Sequence, residues 1–112
     1  MRMAGNNMII RKGDTEEFTL WQEKDGVHVP FVDGDTVYFT VKTSTKTTTK
    51  TLQKIITNFI DGKAIVRLEY AETSLLEVKD YVYDAQVTNA NGTKKTIAGP
   101  SKFIVRPEVT YD

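Results

Sequence analysis

The stretch AETSLLEVKDYVYDAQVTNANGTKKTIAG, residues 71–99, decides the fold. Its first six residues lack the alternation of a strand and place two leucines together, which predicts a single helical turn that crosses between sheets. Asn91-Gly92 favours a type I′ hairpin turn before a final strand. Between these two features lie apolar residues spaced two apart, so that they share one face of a strand: Tyr81, Tyr83, Ala85 and Val87.

Alternation at period two recurs along the rest of the chain, whereas helical periodicity is nearly missing. The clearest example has Val37, Phe39 and Val41 facing inward. Turn signals follow at intervals of about 8 to 12 residues, which is typical of a sandwich. We therefore predict an all-β, immunoglobulin-like antiparallel β-sandwich of about seven strands with one short helical turn; a small barrel is the alternative. The predicted strands cover residues 8–12, 16–23, 36–43, 52–59, 64–69, 81–88 and 95–106, with 27–29 a short returning piece.

The length of 112 residues fits one domain. Residues 1–7 are expected to form a flexible N-terminal tail and residues 8–112 a single β-sandwich domain. The run TSTKTTTKT, residues 43–51, has little apolar surface to bury and predicts a mobile loop or an exposed edge. Adjacent Ile55 and Ile56 predict a bulge or a strand covered on both faces.

Two further local features carry predictions. Gly99-Pro100 interrupts the final strand, which predicts a bulge because proline lacks the ladder donor. Tyr81 begins its strand just after the crossing turn, where its hydroxyl could bond nearby backbone as in a tyrosine corner. The alternative for Tyr81 is an ordinary core residue.

Composition excludes several classes of function. Fifteen basic and fifteen acidic residues give a net charge of zero, so no global field attracts nucleic acid or an anionic membrane. With no cysteine there is no disulfide framework, thiolate metal site or thiol nucleophile. The N-terminal MRMAGNN lacks the apolar core of a signal peptide, and no run is long enough to span a membrane as a helix. We expect no nucleic-acid partner, no membrane association and no export by that route.

Residue chemistry gives no catalytic, cofactor or metal site. His28 is the single histidine, so neither a histidine metal pair nor a Ser-His-Asp triad is possible within one chain. Asp33 and Asp35 flank a glycine without the further acidic ligands of a calcium loop, which favours a turn. Asn91-Gly92-Thr93 fits a glycosylation pattern that its hairpin position explains, and Lys94-Lys95 favours a solvated face. We predict a protein that is not an enzyme.

The candidate interface is apolar. If the strands containing Phe39, Tyr83 and Phe103 share one sheet, the residues next to them face outward together as a candidate patch of Tyr38, Val82 and Ile104. Trp21 with Ile65 forms a second candidate on the opposite sheet, unless the Thr/Lys loop half buries the tryptophan. Such patches mark partner surfaces, including those of homo-oligomers. An exposed tryptophan and tyrosine near threonines would also suit a carbohydrate-binding or adhesive domain.

Four pieces, taken in order, carry a resemblance to a known family: GDTEEFTLWQEKDG, DGDTVYFTVK, DGKAIVRLEYAETSLLEVKDYVYDAQVTNANGTKKTI and KFIVRPEVT. The pieces lie between residues 13 and 110, and the resemblance as a whole extends from about residue 9 to residue 110. The chain resembles the immunoglobulin-like amino-terminal domain of the upper baseplate protein of tailed bacteriophages, and related small virion proteins. The resemblance implies a structural module that docks into a phage tail or baseplate through other virion proteins. It further implies a place in the virion after synthesis in the host cytoplasm.

Overall fold

The computed structural model describes residues 2–4 and 7–107, in which ten strands and one short helix form. Residues 2–4 are described by their backbone alone. In chain order the elements are β1 (Arg2–Ala4), β2 (Asn7–Arg11), β3 (Glu16–Leu20), β4 (Gln22–Lys24), β5 (Val27–Val29), β6 (Thr36–Lys42), β7 (Leu52–Ile56), β8 (Ala64–Leu68), α1 (Tyr70–Thr73), β9 (Asp80–Thr88) and β10 (Lys94–Arg106).

The strands form an all-β sandwich, which confirms the predicted fold class. A six-stranded sheet has the order β1-β2-β10-β9-β6-β7, and the two-stranded sheet β3-β8 packs across it. A separate hairpin, β4-β5, extends from the end of β3. The prediction of about seven antiparallel strands differs from the structure in two respects: the described residues contain ten strands, and β2 pairs with β10 in parallel.

The core lies between the two sheets, and alternation accounts for it. Val37, Phe39 and Val41 of β6 are fully buried, as are alternate residues of β8 and β9. The ring centroid of Phe39 lies 5.0 Å from that of Phe18, which brings the two sheets together. Tyr83 and Phe103 flank the same ring at 5.6 and 6.1 Å. Phe39 is therefore the centre of an aromatic cluster that joins four strands.

The Asp-Gly turns and the Asn-Gly turn differ in geometry. Asp25 and Asp61 have positive φ, as do the glycines after them, so both pairs form tight two-residue turns of the I′ kind. Asn91 is not among the positive-φ residues, which makes the type I′ prediction wrong for this hairpin. Asn89 N donates to Thr93 O and Gly92 N to Asn89 O, giving a three-residue loop that ends in a bulged glycine.

Three other predictions need correction. Residues 2–4 form β1, paired antiparallel with β2, where a flexible tail was expected; residues 1, 5 and 6 lie outside the described residues, as do residues 108–112 of the predicted domain. The strand predicted over 16–23 breaks at Trp21, because the chain leaves the smaller sheet to form β4. Ile55 causes no bulge: β7 keeps a regular register with β6, and Ile55 is 58% exposed.

The crossing helix is confirmed, but it begins one residue and ends three residues earlier than the predicted turn over residues 71–76. It connects β8 of the smaller sheet to β9 of the larger. Its first turn has a capping box, in which Glu69 N donates to the Glu72 carboxylate at 3.0 Å. Lys54 Nζ from β7 donates to the same carboxylate at 3.0 Å. Thr73 Oγ1 donates to Asp14 O at 2.7 Å, so the helix is fixed at both ends.

Glu72 is expected to make stability depend on pH. Partial burial opposes its charged form, but the Glu69 N–H and the Lys54 ammonium outweigh this and lower the pKa of Glu72 below its ordinary 4.5. A lowered folded pKa gives stability that is present above pH 4.5 and is lost as pH falls through the folded value. We expect Glu72→Gln to reduce the free energy of unfolding by about 1 kcal/mol at pH 7. Urea titrations at pH 7 and pH 3 should show that difference shrinking; a difference that is unchanged at pH 3 would contradict it.

Tyr81 makes the bond expected of a tyrosine corner. Its hydroxyl accepts a hydrogen bond from Glu77 N at 2.9 Å, four residues upstream, while the ring is buried. Removing the hydroxyl leaves a partly buried N–H without its acceptor, so Tyr81→Phe should lower the unfolding free energy by about 1 kcal/mol. Tyr38→Phe, at a half-buried residue, is the control and should change the unfolding free energy little. Equal unfolding midpoints in urea for Tyr81→Phe and wild type would show that the bond does not stabilise the fold.

Candidate functional site

The sandwich is closed along one side. There β7, at the edge of the larger sheet, lies beside β8 of the smaller one. The connection between them ends in the tight turn at Asp61, and the Lys54–Glu72 ion pair at 3.0 Å bridges β7 to the helix. On this side, therefore, the edge strands of the two sheets lie against each other.

The other side is open and holds the candidate site, which we call the β3/β10 groove. Its volume is about 660 Å³. One wall is the free edge of β3 and the residues after it, and the opposite wall is the first half of β10. Buried apolar side chains form the floor. The lining residues are Met8, Phe18, Thr19, Leu20, Trp21, Glu23, Tyr83, Thr96, Ile97, Ala98 and Gly99.

The groove exists because β10 is covered on only part of its length. On the side away from β9, β2 pairs with residues 103–106 alone. Lys102 N donates to the side-chain oxygen of Asn7 at 3.1 Å, which ends that pairing. Register shifts on either side of Ala98 displace the earlier part of β10, as expected from Gly99-Pro100. In the described part of the chain, the β10 edge from Lys94 to Ser101 has no strand beside it.

Trp21 stands at the rim of the groove. It is 48% exposed, and its indole Nε1 donates to Glu23 Oε1 at 3.0 Å. The Nζ of Lys63 lies 5.9 Å from the ring centroid, within the range of a cation–π contact. The Thr/Lys loop lies elsewhere, since Thr45 lines a shallow depression with Lys42 and Val82. The alternative that this loop half buries Trp21 is therefore wrong, and the indole presents an apolar surface beside the groove.

Tyr83 contributes a polar atom beneath the groove. Burial raises the pKa of its hydroxyl, and a hydrogen bond with Ser101 opposes that effect without cancelling it. The hydroxyl therefore stays protonated across the physiological range. Met8, Phe18 and Leu20, the other floor residues, are apolar and buried. The groove offers an apolar floor with few charges, which suits an apolar or mixed surface of a partner better than an ion.

The three outer-face residues share one face but do not form one patch. Tyr38 of β6 lies opposite Gln86 and Ile55. Val82 lies opposite Lys42, four residues further along β6. Val82 lies between the lysines at positions 42 and 102 of the neighbouring strands. Ile104 was expected to be exposed and is 8% exposed, because Ile9 of β2 and Asp80 of β9 lie beside it. Charged residues thus separate the members of the expected patch.

Ile65 is half-buried on the smaller sheet, directly opposite Thr19. Trp21 lies one residue beyond the end of β3, so the two members of the expected pair do not both belong to the smaller sheet. The structure adds exposed apolar residues that alternation could not reveal because they lie in loops: Val32, Ile60, Leu75 and Val78. The groove itself was also missed, although the interruption at Gly99-Pro100 was a signal that β10 has an uncovered edge.

The aspartate and the histidine that the sequence offers as candidate ligands do not form a metal site among the described residues. Asp35 is buried, and its Oδ2 accepts a hydrogen bond from Val32 N at 3.0 Å, as the predicted turn requires. His28 is exposed in β5. Within the described ranges no cluster of three or more histidine or acidic residues could hold a metal ion. No helix of the described residues is long and apolar enough to cross a bilayer.

A scan against models of known protein families finds no match to this chain. A search of curated proteins finds no match either.

Proposed function

We propose that this protein is a non-enzymatic structural module of a phage virion, which docks into a tail or baseplate assembly through protein–protein contacts. The observation that carries the proposal is the β3/β10 groove, a trough with a buried apolar floor that lies between two free strand edges. Free edges and concave apolar surfaces are where proteins bind other proteins. The order of strands, crossing turn and hairpin, which resembles the amino-terminal domain of upper baseplate proteins, supports the virion setting.

In this proposal the partners are other tail or baseplate proteins or further copies of the chain, in the particle and not at a membrane or on nucleic acid. A net charge of zero is compatible with packing among protein surfaces. A ring of copies is a natural arrangement, because repeated head-to-tail interfaces form a closed ring when the rotation from one copy to the next allows it.

Particle composition tests the proposal. Phage particles purified by density gradient should contain the chain in a fixed ratio to the tail proteins, as measured by quantitative mass spectrometry. The lysate fraction without particles, taken from the same cells, is the control for carry-over. A chain that is abundant in the lysate and absent from the particles would contradict the proposal.

A carbohydrate-binding function is the second candidate, and one observation favours it. Half-exposed Trp21 stands at the rim of a groove that also presents Glu23 and Thr96, an arrangement of aromatic face and polar groups that suits a sugar ring. A glycan array should then give signals that Trp21→Ala abolishes and Leu75→Ala, at an exposed residue remote in sequence, retains. An array without signal would exclude this candidate.

A further inference from the structure

The β3/β10 groove presents backbone hydrogen-bonding groups as well as apolar side chains. The pair Asn89 and Thr93 is hydrogen-bonded, and antiparallel ladders alternate, so the next bonded pair is Val87 and Lys95. Lys94 and Thr96 therefore direct their N–H and C=O groups away from β9, toward the uncovered edge. A ligand that fills the groove must meet these backbone groups and cover the apolar floor at once.

An extended peptide satisfies both requirements, because its backbone pairs with an edge while its alternate side chains point to one face. A strand added beside β10 would continue the line of β2 beyond Asn7, the first residue of β2. The space from Lys94 to that end admits about six residues at about 3.3 Å per residue. Those side chains of the added strand that face inward would lie over the floor, near Phe18 and Leu20.

Charge complementarity indicates the orientation of the strand. Lys94 and Lys95 are exposed at the start of β10, and in the described part of the chain neither forms an ion pair. Antiparallel pairs are the commoner kind and slightly the more stable per residue. A strand antiparallel to β10 brings its carboxyl-terminal end beside these lysines. An acidic residue or a free carboxylate there would be stabilised by both.

We propose that the β3/β10 groove binds an extended peptide segment of another protein by strand addition to Lys94–Thr96, the segment having apolar residues at alternate positions and an acidic carboxyl-terminal end. This inference deepens the proposed function and rests on it only for the setting, since it names the kind of partner segment that the docking groove accepts.

An array of random hexapeptides with acetylated amino termini and free carboxyl termini is the probe. The peptides that bind should share alternate apolar residues and an acidic final residue. Thr96→Pro should weaken their binding at least tenfold while the protein keeps its thermal midpoint, because the lost N–H points away from β9. Lys94→Glu with Lys95→Glu should shift the preferred final residue from acidic to basic. Leu75→Ala, at an 86% exposed residue outside the groove, is the control and should bind as wild type does.

Peptide chemistry provides a test that leaves the protein unchanged. N-methylation at alternate positions removes the N–H groups that point to one edge at a time. One of the two alternating sets should lower affinity at least tenfold and the other should have little effect. Equal effects of the two sets, binding that Thr96→Pro leaves intact, or no binder on the array would overturn the proposal. A dimer that Thr96→Pro converts to a monomer would also overturn it, because the occupant would then be a second copy.

The outcomes are separable from those of the proposed function. A chain found in purified particles whose groove binds no peptide leaves the virion role standing and removes this inference. A chain absent from particles whose groove selects the stated peptides removes the virion role and keeps the groove as a strand-binding site.

Discussion

Phe39→Ala is expected to remove about 3–5 kcal/mol from the free energy of unfolding. The side chain is fully buried, and its ring lies within 6.1 Å of the ring centroids of Phe18, Tyr83 and Phe103. Truncation leaves a cavity at the point where the two sheets meet, so transfer and cavity terms add. Domains of this size have unfolding free energies of about 5–15 kcal/mol, so the loss is a large share of the whole.

Tyr38→Ala is the matched control, since Tyr38 directly precedes Phe39 in the chain and faces the other side of the sheet. Tyr38 is only half-buried and lies opposite Gln86, so its loss should be well below that at position 39. Urea unfolding followed by fluorescence and circular dichroism measures both. Equal losses at the two positions would contradict the assignment of the inward face of β6.

Gly62→Ala is expected to destabilise the protein by about 2–4 kcal/mol, from two physical causes. Its φ is +71°, which is unfavourable for any residue with a Cβ. An added Cβ would also lie 2.4 Å from the Cβ and 2.9 Å from the Cα of Pro30. The proline ring cannot rotate away, so the segment that holds Phe31 against Phe59 would have to move.

Gly26→Ala separates the two causes. Its φ is +78°, nearly the same, but no atom lies within 4 Å of the added Cβ. It should lose only the conformational part, roughly 1–2 kcal/mol. Thermal unfolding of the two variants in parallel measures the difference. If Gly26→Ala were as destabilising as Gly62→Ala, the close approach of Pro30 to the turn would play no part.

Sequence reasoning succeeded where one physical rule acts alone. Burial of one face requires alternation, so the inward residues of β6, β8 and β9 could be read from spacing. The crossing helix and the bond of Tyr81 were likewise predictable, because a turn between sheets must satisfy its backbone locally. The turns at Asp25-Gly26 and Asp61-Gly62 have the same local origin, because both residues of each pair have positive φ.

The failures occurred where distant parts of the chain decide the outcome. The parallel pairing of β2 with β10 joins residues nearly a hundred positions apart, and no local pattern encodes it. The charges that separate Val82 from Tyr38 depend on register between three strands. The turn at Asn91 admits both a two-residue and a three-residue loop, and the pairing of Asn89 with Thr93 selected the longer one.

The groove illustrates the same limit. Each of its floor residues, among them Phe18 and Tyr83, fits the pattern of an ordinary core position. What opens a groove above them is that β2 covers only residues 103–106 of β10 and that β3 has no neighbour on its outer edge, among the described residues. Both facts depend on where strands end in three dimensions, which the pattern of each strand's own residues does not reveal. A sequence that contains no catalytic residue pattern can therefore still specify a groove through its topology.

The most direct test of the central claim, that the β3/β10 groove is covered by a partner in the particle, uses the absence of native cysteine. Thr96→Cys places a single thiol in the groove, and Leu75→Cys places one at an 86% exposed site in a loop. A maleimide dye should label both free proteins at similar rates. In assembled particles the thiol at position 96 should be protected while that at position 75 still reacts. Labelling at position 96 that is as fast in particles as in the free protein would contradict the claim.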